Sequence, residues 1–207
     1  MKTKKILERL VQEKAPGPSP AFTVFDIIRV LSRIAKGPIG RVKLAKELKI
    51  GEGTMRTIIS RLKEAELIEI SKYGCFLTKK GEKTWKEIKG VFRKMVVLRK
   101  NEFSFAPYTM AILVKEKMDM IKAGMEQRDA AIMAGAKSAT TIVMKNGKLI
   151  VPAISENVKE DYPLAYKQIM EHLEPEEKDV IIIGSAETLE KAEYGTLAAA
   201  WTLVEDC

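Results

Sequence analysis

The chain has few of the residue types on which most catalytic, metal and disulfide chemistry depends. Among its 207 residues there are one histidine, His172, and two cysteines, Cys75 and Cys207, which lie far apart and form no CxxC motif. A histidine-based triad, a metal site or a disulfide framework is therefore not expected within one chain, and such low cysteine use is typical of intracellular proteins. We predict a cytoplasmic protein with no catalytic activity, no metal and no cofactor.

Long apolar runs and amide side chains are also scarce. No run approaches the roughly 18 apolar residues that a membrane-spanning helix needs. Glu8 and Arg9 interrupt the apolar stretch that a secretory signal would require. Asn and Gln occur three times each, whereas Lys and Glu are abundant. We therefore expect no membrane partner, and a composition that tends towards that of proteins from hot habitats.

The charge of the chain is divided between its two halves. The formal net charge is +8, but residues 1–100 hold 25 Lys and Arg against 10 Asp and Glu, a net +15, while residues 101–207 are net −7. Such asymmetry indicates contact between one half and nucleic acid or another anionic surface. The alternative is an uneven distribution of surface charge that has no function.

Hydrophobic spacing predicts a helical first half that ends in a strand hairpin. Helices are expected over 3–13, 21–35, 41–48 and 54–65, then strands at 67–70 and 75–78, then a helix from 78 to 88. The proline-rich segment Pro16–Pro20 ends the first helix, because proline cannot continue one. We predict an N-terminal arm and linker over residues 1–20, which packs on a dimer partner or frays, and a domain over residues 21–94.

The segments around the fourth helix and after the hairpin resemble known sequences. Gly51–Ile68 resembles the recognition-helix segment of prokaryotic winged-helix regulators, and Leu77–Gly81 resembles the segment that follows their wing. The resemblance covers about residues 20–90. It implies a winged helix-turn-helix domain, in which the second helix of the pair enters the major groove of DNA.

The outward face of the helix 54–65 carries the small polar and basic residues that groove entry needs. Arg56 and Thr57 are expected to meet base edges, since arginine bonds guanine bidentately and threonine offers a hydroxyl and a methyl. Ser60, Arg61 and Lys63 suit phosphates better. The predicted DNA-binding set is Thr54, Arg56, Thr57, Ser60, Arg61, Arg41, Lys43, Lys72 and Tyr73, with Lys46 as a further phosphate contact. The alternative is an ordinary solvated helix face, or a winged helix that binds only proteins.

The second half, residues 95–207, predicts a different architecture. Its elements follow the order β-α-β-β-α-β-α, with Asn146-Gly147 as a strong hairpin signal. This order predicts an α+β sandwich with one mainly antiparallel sheet. The fold class of the whole chain is therefore α+β, a winged helix-turn-helix domain followed by a small sandwich domain for ligand sensing or dimerisation.

Two places in the second half are candidate ligand sites. Four polar residues crowd the first turns of a predicted helix: Glu126, Gln127, Arg128 and Asp129. They could bind a small polar ligand, pair with each other or with another subunit, or simply start a helix. Gly184 and Ser185 follow a buried strand where a helix is expected to begin, so exposed amides there could bind an anion. The alternative for Ser185 is a plain N-cap.

The run Gly124–Ala136, with Ala139–Thr141, resembles a family of uncharacterised archaeal proteins. In these proteins a winged helix is joined to a C-terminal domain of unknown function, and the resemblance carries no catalytic residues. It implies a transcription regulator. We therefore expect a homodimer that binds double-stranded DNA and responds to a possible small-molecule effector. The alternatives are a small-molecule enzyme or an interaction scaffold with an accessory winged helix.

Overall fold

The computed structural model describes residues 2–12 and 21–204, which form two compact units that separate between Ile88 and Lys89. The predicted linker at 16–20 and Cys207 lie outside the described residues. The fold is α+β, as predicted, with a helical N-terminal part followed by a sheet-rich part. None of the helices within the described ranges is long and apolar enough to cross a membrane.

The first unit consists of four helices, a two-stranded hairpin and the start of a fifth helix. Its elements are α1 (Lys2–Leu10), α2 (Val24–Ile34), α3 (Arg41–Leu48), α4 (Glu52–Glu64), β1 (Ile68–Ser71), β2 (Gly74–Leu77) and α5 (Lys79–Val91). This is the order that hydrophobic spacing predicts. The unit is held by fully buried side chains of several helices, among them Leu7, Ile27, Leu31, Leu44, Met55, Ile58 and Leu62.

The helix boundaries follow from local signals. Thr23 precedes α2, and its backbone N–H donates to the Asp26 carboxylate over 2.8 Å in a capping box. Helix α3 ends at Leu48, its C-cap Lys49 has a left-handed φ of 55°, and α4 starts at Glu52. The two helices are therefore joined by a tight turn.

The hairpin is anchored to the segment that precedes α3. Strands β1 and β2 pair antiparallel from Ile68 opposite Leu77 to Ser71 opposite Gly74. Ile39 and Cys75 form an isolated antiparallel bridge, with N–O distances of 3.1 and 2.9 Å. Gly74 has a φ of +116°, and a Cβ there would lie 2.4 Å from the carbonyl carbon of Ile39. Only glycine fits this close approach.

Helix α1 belongs to the core of the first unit. Leu7 is fully buried and Leu10 nearly so, and α1 contacts both α2 and α4. The Thr3 hydroxyl also donates to the Glu87 carboxylate of α5. The prediction of an arm that frays or packs on a partner was therefore wrong for residues 2–10. The apolar side chains of α1 are already used within the chain.

The second unit contains one five-stranded sheet. Its elements are β3 (Phe92–Leu98), β4 (Tyr108–Val114), α6 (Met125–Met133), β5 (Ser138–Lys145), β6 (Lys148–Ile150), α7 (Val158–Asp161), α8 (Pro163–His172), β7 (Val180–Ala186) and α9 (Leu189–Trp201). The strand order is β3-β4-β7-β5-β6, and each neighbouring pair is antiparallel. The antiparallel sheet was predicted, but strand β3 was not.

Helices cover both faces of this sheet. Strand register places one set of buried side chains on the face that packs against Ala165, Ile169 and Leu173 of α8. That set includes Ala111, Leu113, Ile142, Ile181 and Ile183. Met110 and Ala186 lie on the opposite face and pack with Ala192 of α9. The sheet therefore lies between α8 and α9, and α6 packs beside α9.

Two carboxylates fix loops of this unit. Asn146 and Gly147 have φ values of 52° and 71°, which forms the predicted hairpin turn between β5 and β6. Their backbone N–H groups donate to Glu177 over 2.8 and 3.1 Å, and these hydrogen bonds hold the pKa of Glu177 below its usual value. Glu102 accepts from the backbone N–H groups of Leu164 and Ala165 at the start of α8, over 2.9 and 2.8 Å.

Candidate nucleic-acid interface

An open groove of about 920 Å³ lies between helix α3, helix α4 and the β1–β2 hairpin. Helix α3 forms one wall, α4 another, and the hairpin a third. Six cationic side chains line it: Arg41, Lys43, Lys46, Arg56, Lys63 and Lys72. No aspartate or glutamate is among the fifteen lining residues, all of which belong to the described part of the chain. The lining residues of the groove therefore carry six positive charges and no negative one.

The six cations are exposed, and none forms an ion pair with a described residue. Glu47, also on α3, is occupied elsewhere, because its carboxylate accepts from the Arg33 guanidinium. This hydrogen bond is the main cause that lowers the pKa of Glu47, and the nearby charge of Lys43 lowers it further. Within residues 2–12 and 21–204, the cations of the groove therefore have no carboxylate partner in an ion pair.

Apolar side chains are exposed among the cations. Val42, Ile70 and Tyr73 are 58%, 54% and 71% exposed, and all three line the groove. Lys72 lies with its Nζ 5.1 Å from the centre of the Tyr73 ring at the hairpin tip. Such residues can contact the methyl groups of thymine or the sugar edges of a nucleic acid. Val42 and Ile70 were not predicted as groove residues.

Cys75 lies in the wall of the groove as a buried thiol. Burial raises the pKa of this thiol, and the nearby charge of Arg41 opposes the rise only in part. The thiol therefore stays protonated at neutral pH, and a protonated thiol is a poor nucleophile and metal ligand. Cys75 is a structural residue of β2. Among the described residues, no group of three or more His, Cys, Asp and Glu is placed to hold a metal ion.

The structure brings six of the nine predicted DNA-binding residues to this groove. They are Arg41, Lys43, Arg56, Ser60, Lys72 and Tyr73. Thr54 is half-buried at the start of α4 and is not in the lining. Thr57 is exposed but also lies outside the lining, and its hydroxyl donates to the carbonyl oxygen of Gly53 over 3.2 Å.

Arg61 has a structural role that the sequence did not indicate. Its Nη1 donates to the carbonyl oxygens of Leu10 and Gln12 over 2.6 and 2.8 Å. Its guanidinium carbon lies 5.3 Å from the centre of the Phe22 ring. Because the last carbonyl groups of a helix have no partner within it, Arg61 completes the C-terminal end of α1. The prediction that Arg61 binds a phosphate was therefore wrong.

Two family models match the chain, one for each unit. Residues 23–83 match the PH0730-like N-terminal domain, and residues 105–203 match a domain of unknown function, DUF4443. The chain is also similar to the solved structure of hypothetical protein PH0730 from Pyrococcus horikoshii OT3, with 30% identity and a TM-score of 0.71. The match covers 88% of this chain and 92% of that one.

The chain belongs to the PH0730-like family. The predicted resemblance to uncharacterised archaeal proteins that carry a C-terminal domain of unknown function is confirmed. No curated protein matches the chain.

In this PH0730-like protein, the four polar residues at the start of α6 do not converge. Gln127 is buried, and its Nε2 donates to the Thr202 hydroxyl over 2.8 Å. Glu126, Arg128 and Asp129 are exposed on the outer side of α6, where Arg128 and Asp129 lie 3.3 Å apart. Gln127 therefore joins α6 to the end of α9, while the charged residues face outward.

Gly184 and Ser185 of the PH0730-like chain lie inside strand β7. The Ser185 hydroxyl is fully buried, 3.2 Å from the Thr109 hydroxyl, and donates to the carbonyl oxygen of Phe103 over 3.2 Å. The next helix, α9, begins only at Leu189, and its N-cap is Thr188. Both the predicted anion site and the alternative N-cap role of Ser185 were wrong, because the strand continues beyond the glycine.

Proposed function

We propose that the first unit is a winged helix that binds double-stranded DNA through the groove between α3, α4 and the hairpin. The observation that carries the proposal is the charge of that groove: six exposed cations and no carboxylate line it. Cations without a protein partner attract phosphates, and their binding is driven by the release of counterions from DNA. In this proposal the hairpin is the wing, and α4 is the recognition helix.

The positions of the cations suggest which of them contact bases and which contact phosphates. Arg56 lies in the first half of α4, the part of a recognition helix that meets base edges, and we assign it to base readout. Lys43, Lys46 and Lys63 would contact phosphates, which position the protein but carry no sequence information. Lys72 and Tyr73 at the wing tip would reach the backbone beside the recognition helix.

The charge of the groove favours DNA over a protein partner. The groove exposes apolar surface as well, but any occupant must also neutralise six cationic side chains, which an uncharged apolar peptide cannot do. The alternative of an interaction scaffold would need an acidic partner to neutralise them. A DNA duplex carries phosphates along both strands, so it can offer phosphates to cations on all three walls of the groove.

We extend the proposal to a transcription regulator that binds two half-sites as a homodimer, without enzymatic activity. Two-fold symmetric proteins read palindromic DNA sites, so the second unit would join the two copies. The small-molecule effector expected from the sequence would also bind this unit. The contacts of Gln127, Gly184 and Ser185 give no support for these residues as its site.

A salt titration of duplex binding by the full chain tests the proposal. If one copy contacts five phosphates, one for each groove cation except Arg56, log Kobs should fall against log salt with a slope of about −4.5. Replacing Lys43, Lys46 and Lys63 together with Gln should make that slope shallower by about 3. The matched control replaces three exposed lysines of the second unit, Lys145, Lys148 and Lys167, and should leave the slope unchanged. Duplex binding that is absent, or independent of salt, would refute the proposal.

A further inference from the structure

Helix α6 exposes an apolar surface that the fold of the second unit does not use. Met125, Ile132 and Met133 are 52%, 46% and 89% exposed. Arg128 and Asp129 lie between them in the sequence and are exposed as well. We call these five residues the α6 stripe. Gln127 and Ala131, by contrast, are buried against the rest of the unit.

The five residues share one side of the helix. At 100° per residue, positions 125, 128, 129, 132 and 133 fall within an arc of about 140°, opposite the buried Gln127 and Ala131. A helix that is apolar on both its inner and its outer side is usually covered on both. The inner side is covered by β5 and α9. The outer side therefore lacks a cover within the described chain.

We propose that the α6 stripe is the interface with a second copy of this chain, with the two α6 helices antiparallel across a two-fold axis. The axis would pass between positions 128 and 129, because this placement makes the stripe self-complementary. Arg128 of each copy then faces Asp129 of the other, and Met125 faces Ile132. Met133 comes to lie opposite Gly124, which has no side chain to obstruct it.

The charges argue for a second copy over other occupants. Within one chain, Arg128 Nη2 lies 3.3 Å from Asp129 Oδ1, but the two side chains are 47% and 61% exposed. An ion pair this exposed contributes little to stability. Across the two-fold axis the same residues form two pairs between copies, flanked by apolar contacts. An isologous interface requires such self-complementarity, whereas a different partner would not.

The inference rests on the homodimer of the proposed function and names its interface, but its test is separate from that of DNA binding. Sedimentation equilibrium of the full chain over a range of concentrations tests it. The unaltered chain should dimerise. Met133→Glu, Arg128→Asp and Asp129→Arg should each weaken the dimer at least about tenfold, because each one buries a charge or opposes like charges across the axis.

The combined exchange of Arg128→Asp with Asp129→Arg gives the sharpest result, since it restores opposite charges across the axis and should recover dimerisation. Ile154→Glu is the matched control, because Ile154 is 73% exposed on the same unit outside the stripe and its replacement should change nothing. Thermal unfolding monitored by circular dichroism confirms that each variant folds. A chain that is monomeric at all concentrations would overturn the inference, and the α6 stripe would then be a candidate interface with a different protein. A dimer that none of the α6 variants weakens would also overturn it, as would failure of the combined exchange to recover dimerisation.

Discussion

The guanidinium of Arg61 on α4 lies 2.6 Å from the carbonyl oxygen of Leu10, the last residue of α1. A second hydrogen bond joins it to Gln12. Hydrogen bonds from a charged group contribute about 1.5–3 kcal/mol when partly buried. We therefore expect Arg61→Ala to lower the free energy of unfolding of the first unit by about 2 kcal/mol, measured by urea denaturation.

The control for this prediction is Arg56→Ala on the same helix. Arg56 is exposed and has no partner among the described residues, so its loss should change stability by less than about 0.5 kcal/mol. Equal effects of the two substitutions would contradict the structural role of Arg61.

The second prediction concerns DNA recognition by Arg56. If Arg56 bonds guanine bidentately, Arg56→Ala should weaken binding to the preferred duplex by about 1–3 kcal/mol. It should also relax discrimination at one base position. Fluorescence anisotropy against a panel of single-base variants measures both effects. Lys63→Ala, the phosphate-contact comparison on the same helix, should weaken all duplexes about equally. If Arg56→Ala weakens binding to all duplexes equally, Arg56 contacts a phosphate and not a base.

The third prediction concerns the carboxylate that caps helix α8. Partial burial raises the pKa of Glu102, but the backbone N–H groups of Leu164 and Ala165 outweigh it, so the net pKa is lowered. When the pKa of a carboxyl group is lower in the folded than in the unfolded chain, its charged form stabilises the fold. This contribution is complete at pH values above the unfolded-state pKa and is lost as the pH falls through the folded-state pKa. Glu102→Gln should therefore lower stability by about 1 kcal/mol at neutral pH.

The difference between Glu102→Gln and the unaltered chain should shrink as pH falls below the usual glutamate pKa, because protonated Glu102 resembles glutamine. Thermal unfolding at a series of pH values measures it. Glu156→Gln is the control, since Glu156 is exposed and caps no helix. A difference that stays constant from neutral to acidic pH would show that the charge of Glu102 does not matter.

The fourth prediction concerns the close packing of β7 against α9. A Cβ at Gly184 would lie 2.4 Å from the Thr196 hydroxyl, and Thr196 is fully buried. Gly184→Ala should therefore lower the free energy of unfolding by about 1–3 kcal/mol, because the added methyl group overpacks this contact. Thr196→Ala removes the obstructing oxygen. The double variant should therefore lose less free energy of unfolding than the sum of the losses of the two single variants.

Gly90→Ala is the matched control for this packing effect. Gly90 lies in α5, and a Cβ there meets nothing within 4 Å. Alanine is favoured over glycine in a helix, so this change should stabilise by about 0.5–1 kcal/mol. Additive effects of Gly184→Ala and Thr196→Ala in chemical denaturation would contradict the predicted contact.

Local patterns predicted the groove well because its residues are set by helix periodicity and one hairpin. Arg56 and Ser60 lie on the outward face of α4, as their spacing from the buried Met55 and Ile59 requires. Lys72 and Tyr73 lie at the hairpin tip because Ser71 and Gly74 pair directly. The positions of these residues depend only on neighbours in the sequence, so they can be predicted from the sequence.

Partners distant in the sequence explain the errors. Arg61 lies on the same outward-spaced face, but α1 ends beside it and supplies carbonyl oxygens from residues 10 and 12. Gly184 and Ser185 suggested the end of a strand, whereas Thr109 and Phe103 supply hydrogen bonds that accommodate the serine within the sheet. No local spacing indicates which segments will meet across such distances.

Strand β3 was missed for a different reason. It is an edge strand whose residues do not alternate between apolar and polar, because the apolar Met95 and Val97 are exposed on the same face as Arg93. Arg93 is exposed and Lys94 half-buried, and they lie next to the apolar residues of the strand. A run of cations before them extends the apparent helix. The two units separate between Ile88 and Lys89, within the last turn of α5, whereas the predicted boundary was at residue 94.

The bridge between Ile39 and Cys75 has a consequence for the speed and entropy of association. It fastens the β1–β2 hairpin to the chain just before α3, so two walls of the groove are already in place in the free protein. A preorganised surface loses little conformational freedom on binding. For the proposed binding of DNA, encounters would then be limited by electrostatic steering and orientation, with no folding step to slow them.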